Sequence, residues 1–198
     1  NYVSPGGASN NWVLSGSRTA SGRPILANDP HLPPALPSPW YLLHIRTPEW
    51  SVAGASLVGT PGVSVGHNGH GAWGVTAGLV DNTDLFIEEL GPDGASVRSG
   101  AGFEPCEIRE EIIEVKGGKA IEEKILVTPR GPLISPALEG ESRAISLRAV
   151  WLDPAPIGGT LLVHKAKTVS EFRDSFRHWP ALSLNVVWGD SSGSIGWQ

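Results

Sequence analysis

Turn formers punctuate this chain from end to end, with 25 glycines and 17 prolines among its 198 residues. That share lies below the level of a low-complexity segment, so they mark turns and the chain reads as strand-rich. The eight tryptophans point the same way. Asn68-Gly69 is a strong local signal, a two-residue hairpin turn between Val63–Val65 and Ala72–Thr76. The polar segment 15–24 separates two short apolar stretches within Trp12–Leu26 and predicts a hairpin with a generous turn, which puts Ser9 at the start of a strand. Five prolines between Pro30 and Pro39 exclude regular helix and central strand, so this stretch is a loop running past His31.

Further along, Trp40–Ile45 and Val52–Val58 read as strands. Ile108–Val115 and Ala120–Val127 alternate around Gly117-Gly118, which predicts a second hairpin with a solvated charged face. Thr168-Val169-Ser170-Glu171 has the form of a capping box, and Val169, Phe172, Phe176 and Trp179 keep helical spacing until Pro180 stops them. Ser183–Trp188 and Ile195–Trp197 flank Asp190-Ser191-Ser192-Gly193 as a third hairpin. No repeat and no linker divides the chain, and 40% hydrophobic against 18% charged residues suits one domain with a sizeable core.

A net charge of -5 leaves no electrostatic footprint for nucleic acid. Cys106 stands alone, so there is no internal disulfide framework and no Cys-rich zinc site. No apolar run reaches membrane-spanning length. The chain holds no Met and ends inside the strand-like stretch 194–198, and it reads as a piece of something longer.

The chemistry centres on Gly7-Ala8-Ser9-Asn10-Asn11-Trp12, followed in order by Asn28-Asp29-Pro30-His31, Gly66-His67-Asn68-Gly69, and Trp73-Gly74-Val75-Thr76-Ala77-Gly78 with Asp81 and Asp84 behind. Taken together these residues resemble the start of the catalytic β-subunit of the penicillin acylase family of N-terminal-nucleophile hydrolases. The resemblance implies an α+β fold, a four-layer αββα sandwich of two antiparallel sheets between helices. It implies self-cleavage between Ala8 and Ser9, so that residues 1–8 are the end of a spacer and residues 9–198 the first part of the β-subunit. The freed serine then supplies a hydroxyl nucleophile and an α-amine base whose ordinary pKa of about 7.7–8.0 leaves an appreciable fraction unprotonated near neutrality.

By the same resemblance His31 helps place that amine and the substrate, and the backbone N–H of Ala77 contributes to the oxyanion hole. Leu32 and Val65 shape the acyl pocket. Asp81, the carbonyl of Thr83, and Asp84 bind a structural calcium ion, an ion that suits hard oxygen ligands. A second oxyanion donor, further calcium ligands and an α-subunit partner come from outside this stretch. The implied activity is hydrolysis of a linear acyl amide, of the kind found in penicillins, acylated cephalosporins, acyl-homoserine lactones or lipopeptides, by a periplasmic or secreted enzyme.

Other readings of the residues compete. Gly62-Val63-Ser64-Val65-Gly66 fits G-x-S-x-G, yet it runs into an Asn-Gly hairpin where that motif needs a helix. Gly189-Asp190-Ser191-Ser192-Gly193 resembles the serine segment of chymotrypsin-like proteases but is better read as a hairpin turn. His67 and His70 straddle a turn and make a poor zinc pair without a third ligand. A non-catalytic β-rich binding module with a tryptophan platform is the rival from another class; tryptophans among apolar neighbours, as at Trp151 and Trp188, favour core instead. An inactive precursor or fragment is a third reading.

Overall fold

The computed structural model describes residues 8–155, 157–177, 179 and 183–198. The chain divides into two compact units, one running up to Val80 and resuming over Ala155–Gln198, the other formed by Asp81–Pro154. The sequence reading of an undivided chain is corrected here. The first junction falls between two strands, and the second falls in the stretch 153–159, whose prolines and glycines resemble those of the chain's many turns.

The first unit opens with β1 (Ser9–Leu14), β2 (Ile25–Pro30), β3 (Trp40–Arg46), β4 (Ser51–Leu57), β5 (Val65–His67) and β6 (Gly71–Ala77). The second unit holds β7 (Thr83–Glu88), β8 (Ser96–Ser99), β9 (Gly102–Pro105), β10 (Glu107–Ile113), β11 (Ile121–Thr128), β12 (Gly131–Pro132) and β13 (Ala144–Ala149). The chain then returns with two short helices, α1 (Gly159–Leu162) and α2 (Val169–Ser175), and closes on β14 (Leu184–Asp190) and β15 (Ile195–Trp197).

In the first unit an antiparallel sheet runs in the order β15-β14-β6-β5-β4-β3. Successive side chains of a strand point to opposite faces, and here the two faces carry different chemistry. Trp73 on β6 and Trp188 on β14 lie on the helix side, stacked with ring centroids 6.4 Å apart, and Phe172 of α2 stacks on Trp188 at 5.2 Å. Val52, Val63, Val163, Ala166, Phe176 and Val186 complete this core. Such rings each remove about 150–250 Å² from water, the largest apolar contributions available to a domain of this size. Their neighbours Gly74 and Gly189 face the other way, where the β1–β2 hairpin lies: a Cβ at Gly189 would come 3.0 Å from Val13, and one at Gly74 would come 2.7 Å from Asn28. Helices, sheet and hairpin thus form three successive layers.

The hairpins foreseen at 12–26, at Asn68-Gly69 and at 190–193 are all present, and β10 pairs β11 around the Gly117-Gly118 turn. Gly69 has φ +85, a left-handed conformation that a glycine adopts without strain. At α2, Thr168 Oγ1 accepts the N–H of Glu171 at 3.2 Å as a capping residue should, but Glu171 reaches back to the N–H of Lys167 at 2.6 Å rather than to that of Thr168. The helix ends at Ser175, and Pro180, expected to stop it, lies outside the described residues.

Two polar side chains lock the helix layer to the sheet. Asn68 Oδ1 accepts the N–H groups of His70 and Gly71, both at 3.0 Å, while its Nδ2 donates to the carbonyls of Val163, His164 and Ala166 at 3.3, 3.1 and 2.6 Å. His164 is buried between Trp50 and Trp73 and accepts the Val63 N–H at Nε2, 2.9 Å away. Burial holds its pKa below the ordinary value of 6.5, and the bond to Val63 requires a neutral ring. The unfolded chain therefore takes up this proton before the folded one, so stability is complete above about pH 6.5 and declines as pH falls below it. A melting temperature that drops on acidification below about pH 6.5, with a shallower drop in His164→Gln, is the expected result. The glutamine oxygen can still accept from Val63 and has no proton to gain.

The second unit contains the sheets β10-β11-β12, β13-β7 and β8-β9. Its buried charge is Glu88, whose carboxylate accepts from Arg130 Nε at 2.8 Å and from Arg130 Nη2, Ser146 Oγ and Thr128 Oγ1. The Arg130 hydrogen bond outweighs burial and holds the carboxyl below its usual range. A buried carboxylate persists only when paired in this way. The charged face of β10 is solvated as expected, but its isoleucines Ile108, Ile112 and Ile113 are exposed as well, so the apolar face has no cover among the described residues. Trp151, expected in the core, is 47% exposed instead. It sits in the 3₁₀ segment Val150–Leu152, where three successive residues turn outward and the apolar neighbours give no cover.

Candidate active site

Ser9 begins β1 opposite Pro30, and the ladder continues one step further because His31 donates its N–H to the Ala8 carbonyl at 3.0 Å. The peptide that joins Ala8 to Ser9 is thereby held in extended form against the end of β2. Beyond it the chain enters the expected proline loop, with no strand until Trp40. The His31 ring pairs with Asp29, Nε2 to Oδ2 at 2.8 Å, both side chains at least half exposed.

Ala77 ends β6, and the direction of its N–H follows from the sheet. Val186 on β14 exchanges both backbone bonds with Gln198, at 2.9 and 3.0 Å. Its partner across β6, Val75, therefore turns its N–H and C=O away from β14. The alternation of strand backbone then directs Ala77, two residues on, to the same edge. That edge is free of β5, which pairs β6 only at Ala72 and Trp73. The hairpin takes its place: Asn28 Oδ1 accepts the Val75 N–H at 3.1 Å, and Asn28 Nδ2 donates to the Val75 carbonyl and to the Asn10 carbonyl, both at 3.0 Å. Opposite Asn28 in the ladder, Asn11 donates to the carbonyls of Asn185 at 2.9 Å and Gly74 at 3.3 Å.

The structure places Ser9 beside His31, and puts Ala77 two residues beyond Val75, on the strand to which the hairpin docks. Leu32 follows His31 in the loop and is 39% exposed; Val65 opens β5 opposite Ala55. The suggested calcium residues lie in the second unit. Asp81 and Asp84 are exposed and make no ion pair among the described residues. Val150 donates to the Asn82 carbonyl at 3.2 Å, so the next residue, Thr83, turns its carbonyl to the edge away from β13. Two free carboxylates and an outward carbonyl within four residues are suitable hard ligands, but they fill only part of the 6–8 oxygen shell of calcium. Among the described residues no group of three His, Cys, Asp or Glu side chains comes together as a metal site.

The decoy serines have structural places. Ser64 precedes β5, bonds Ser56 through its hydroxyl at 3.2 Å and accepts the Trp73 indole N–H at its carbonyl, and no helix follows it. In the β14–β15 turn, Asp190 accepts from Ser192 and Ser194 at one oxygen and from the Trp188 indole at the other. Burial would raise its carboxyl, but these bonds more than offset that and hold it low. His67 and His70 line an open cavity of about 300 Å³ with Arg23 and Asp190.

What sequence reasoning missed is the work of the asparagines. Asn11, Asn28 and Asn68 stood only as letters of motifs, yet each amide binds backbone far away in the chain. The available signal was their position: asparagine is depleted in strands, and one facing inward must find backbone partners.

Comparisons with known proteins bear on the chain as a whole. The family model described as penicillin amidase matches residues 2–198. An acyl-homoserine lactone acylase, QuiP, of Pseudomonas aeruginosa is 36% identical over 96% of this chain and 24% of its own length. A penicillin acylase 2 proenzyme of Pseudomonas sp. (strain SE83) is 38% identical over 96% of the chain and 25% of its own. A thermostable penicillin G acylase from Alcaligenes faecalis superposes with a TM-score of 0.81 at 27% identity, covering 96% of this chain and 34% of that one. The chain thus spans about a quarter of the length of the curated relatives. With a family match over nearly every residue and a fold shared at that level, the chain belongs to the penicillin amidase family.

Proposed function

We propose that this chain is the nucleophile-bearing portion of an amidohydrolase that cleaves linear acyl amides through an acyl-Ser9 intermediate. The observation that carries the reading is the placement of Ser9 within a family-matched fold: it starts a strand beside His31, on a hairpin docked to the open edge of β6 to which Ala77 presents its N–H. Cleavage of the Ala8–Ser9 bond converts an amide nitrogen, which has no basicity, into an amine. That amine takes the Ser9 hydroxyl proton as Oγ attacks the substrate carbonyl, and the Ala77 N–H stabilises the oxyanion that forms. The same proton passes to the leaving amine as the C–N bond breaks, and water then hydrolyses the acyl-serine. His31 places the amine and the substrate, while Leu32 and Val65 border the acyl group. An α-subunit and a further oxyanion donor come from other parts of the protein.

In this reading the β1–β2 hairpin belongs to the second sheet of an αββα sandwich, whose outer helices lie outside this stretch. No helix among the described residues is long and apolar enough to cross a membrane. The binding-module alternative has less support, since Trp73 and Trp188 are fully committed to the core.

The test is the mass of the mature protein made from its complete coding sequence. Active enzyme should carry a chain starting at Ser9, and its rate should rise with pH through the pKa of an amine, about 7.7–8.0, as that amine loses its proton. Activity in protein whose Ala8–Ser9 bond is intact would overturn the proposal.

Calcium, if held, would use Asp81 and Asp84 carboxylates and the Thr83 carbonyl, and would supply charge balance that fixes the start of the second unit. Chelation is expected to lower the melting temperature or the yield of processed enzyme, because a ligand of the native state stabilises it by mass action. The shape of the pH–rate profile should stay the same. Asp81→Asn with Asp84→Asn should abolish the chelator's effect.

A further inference from the structure

Resting on the acylase reading, we infer that Asn11 and Asn28 are positioning residues: their paired amides clamp the hairpin that bears Ser9 to β6 and so set the Ser9 hydroxyl against the Ala77 N–H. The two asparagines face each other across the β1–β2 ladder, each two residues from the end where Ser9 meets Pro30. Val75, the residue Asn28 holds, is likewise two residues from Ala77. The clamp and the reacting groups are therefore the same strand distance apart on both sides of the junction.

Asn28 acts as one residue of a missing strand. It gives Val75 an acceptor and a donor, as a neighbouring strand would, at the point where β5 has already left β6. It also bonds the carbonyl of Asn10, tying β6 to the strand that carries Ser9 within one residue of the nucleophile. Asn11 ties the same strand to both Gly74 and Asn185, and so to β14 as well. The approach is close enough that Gly74 has no room for a side chain: an added Cβ would meet Asn28 Cβ at 2.7 Å and Cγ at 3.0 Å. A methyl there would press on the Asn28 side chain and push the hairpin off β6.

Asn28→Asp is the sharpest probe. An aspartate still accepts the Val75 N–H but presents a charged acceptor to the two carbonyls that Asn28 Nδ2 now serves, so the hairpin shifts. A displacement of about 1 Å between reacting groups costs roughly 100-fold in rate. In the complete, processed protein, kcat for a chromogenic acyl anilide should fall about 10- to 100-fold with KM within about 3-fold. The rate at which a sulfonyl fluoride modifies Ser9 should fall by the same factor. A residue that only supports stability would lower the amount of folded enzyme and leave the rate per active serine unchanged. Gly74→Ala should produce the same kcat-selected loss and decides the matter if Asn28→Asp does not accumulate in folded form. Folded variants with kcat and labelling rate within 2-fold of the parent, or a loss confined to KM, would overturn the inference. Ser9→Ala serves as the control: an active Ser9→Ala enzyme removes the acylase reading itself, whereas an inactive one beside an undiminished Asn28→Asp removes only the clamp.

Discussion

Replacing Ser9 with alanine in the complete protein is expected to leave residues 8 and 9 joined and to lower amide hydrolysis by about 10⁴-fold or more, since loss of a nucleophile is among the largest single-residue effects in catalysis. The two losses share one cause. In the proposed mechanism the same Oγ attacks the Ala8 carbonyl during maturation and the substrate carbonyl afterwards, and in the unprocessed chain the nitrogen of residue 9 is an amide that cannot accept a proton. Gel mobility and intact mass would report the uncut precursor, and release of a chromogenic aniline would report turnover. Ser9→Cys is expected to cleave itself, because a thiolate is also a competent nucleophile. Processed, active Ser9→Ala protein would remove both the proposed nucleophile and the proposed base.

The largest loss of stability is expected at Asn68, in the isosteric variant Asn68→Asp. The amide group of Asn68 donates into a nest of three carbonyls, those of Val163, His164 and Ala166. A carboxylate in its place turns attraction into repulsion and leaves those acceptors without a donor, at about 1–3 kcal/mol for each buried group left unsatisfied. The bonds to His70 and Gly71 survive, since either side chain has the accepting oxygen, so the hairpin turn persists while the helix layer separates from the sheet. A depressed melting temperature together with faster hydrogen exchange in α1 and α2 would show this; an unchanged melting temperature would mean that the helix layer is held by its rings alone.

The hairpins were legible because their signals are local. Alternation around Asn68-Gly69 or Gly117-Gly118, and a polar run between apolar stretches at 15–24, fix strand and turn from within a dozen residues. The proline loop and the capping threonine at 168 are of the same kind. Ser9, His31 and Ala77 entered through resemblance, and no periodicity could have joined them. What stayed hidden depends on partners far along the chain: Asn11 on Asn185, Asn68 on Ala166, and His164 on Val63. A histidine that follows Leu161-Leu162-Val163 and precedes two lysines gives no sign that it will lie between two indole rings. Trp151 failed for the converse reason, since apolar neighbours in sequence need not be neighbours in space. The division at Val80 was invisible because strands lie on both sides of it, and that at Pro154 because the prolines and glycines of 153–159 match those of the chain's many turns.

That division also imposes an order of events. The second unit is inserted between β6 and β14, so the carbonyl that Asn11 grips, at Asn185, is made 174 residues after Asn11 itself. At about 5–20 residues per second, synthesis of the intervening chain takes roughly 9–35 s. During that interval β6 lacks its central neighbour and the hairpin bearing Ser9 has only part of its anchorage. A nascent chain thus carries its serine without the frame that would aim it, and the proposed self-cleavage would have to wait until the last strands of the sheet have been delivered.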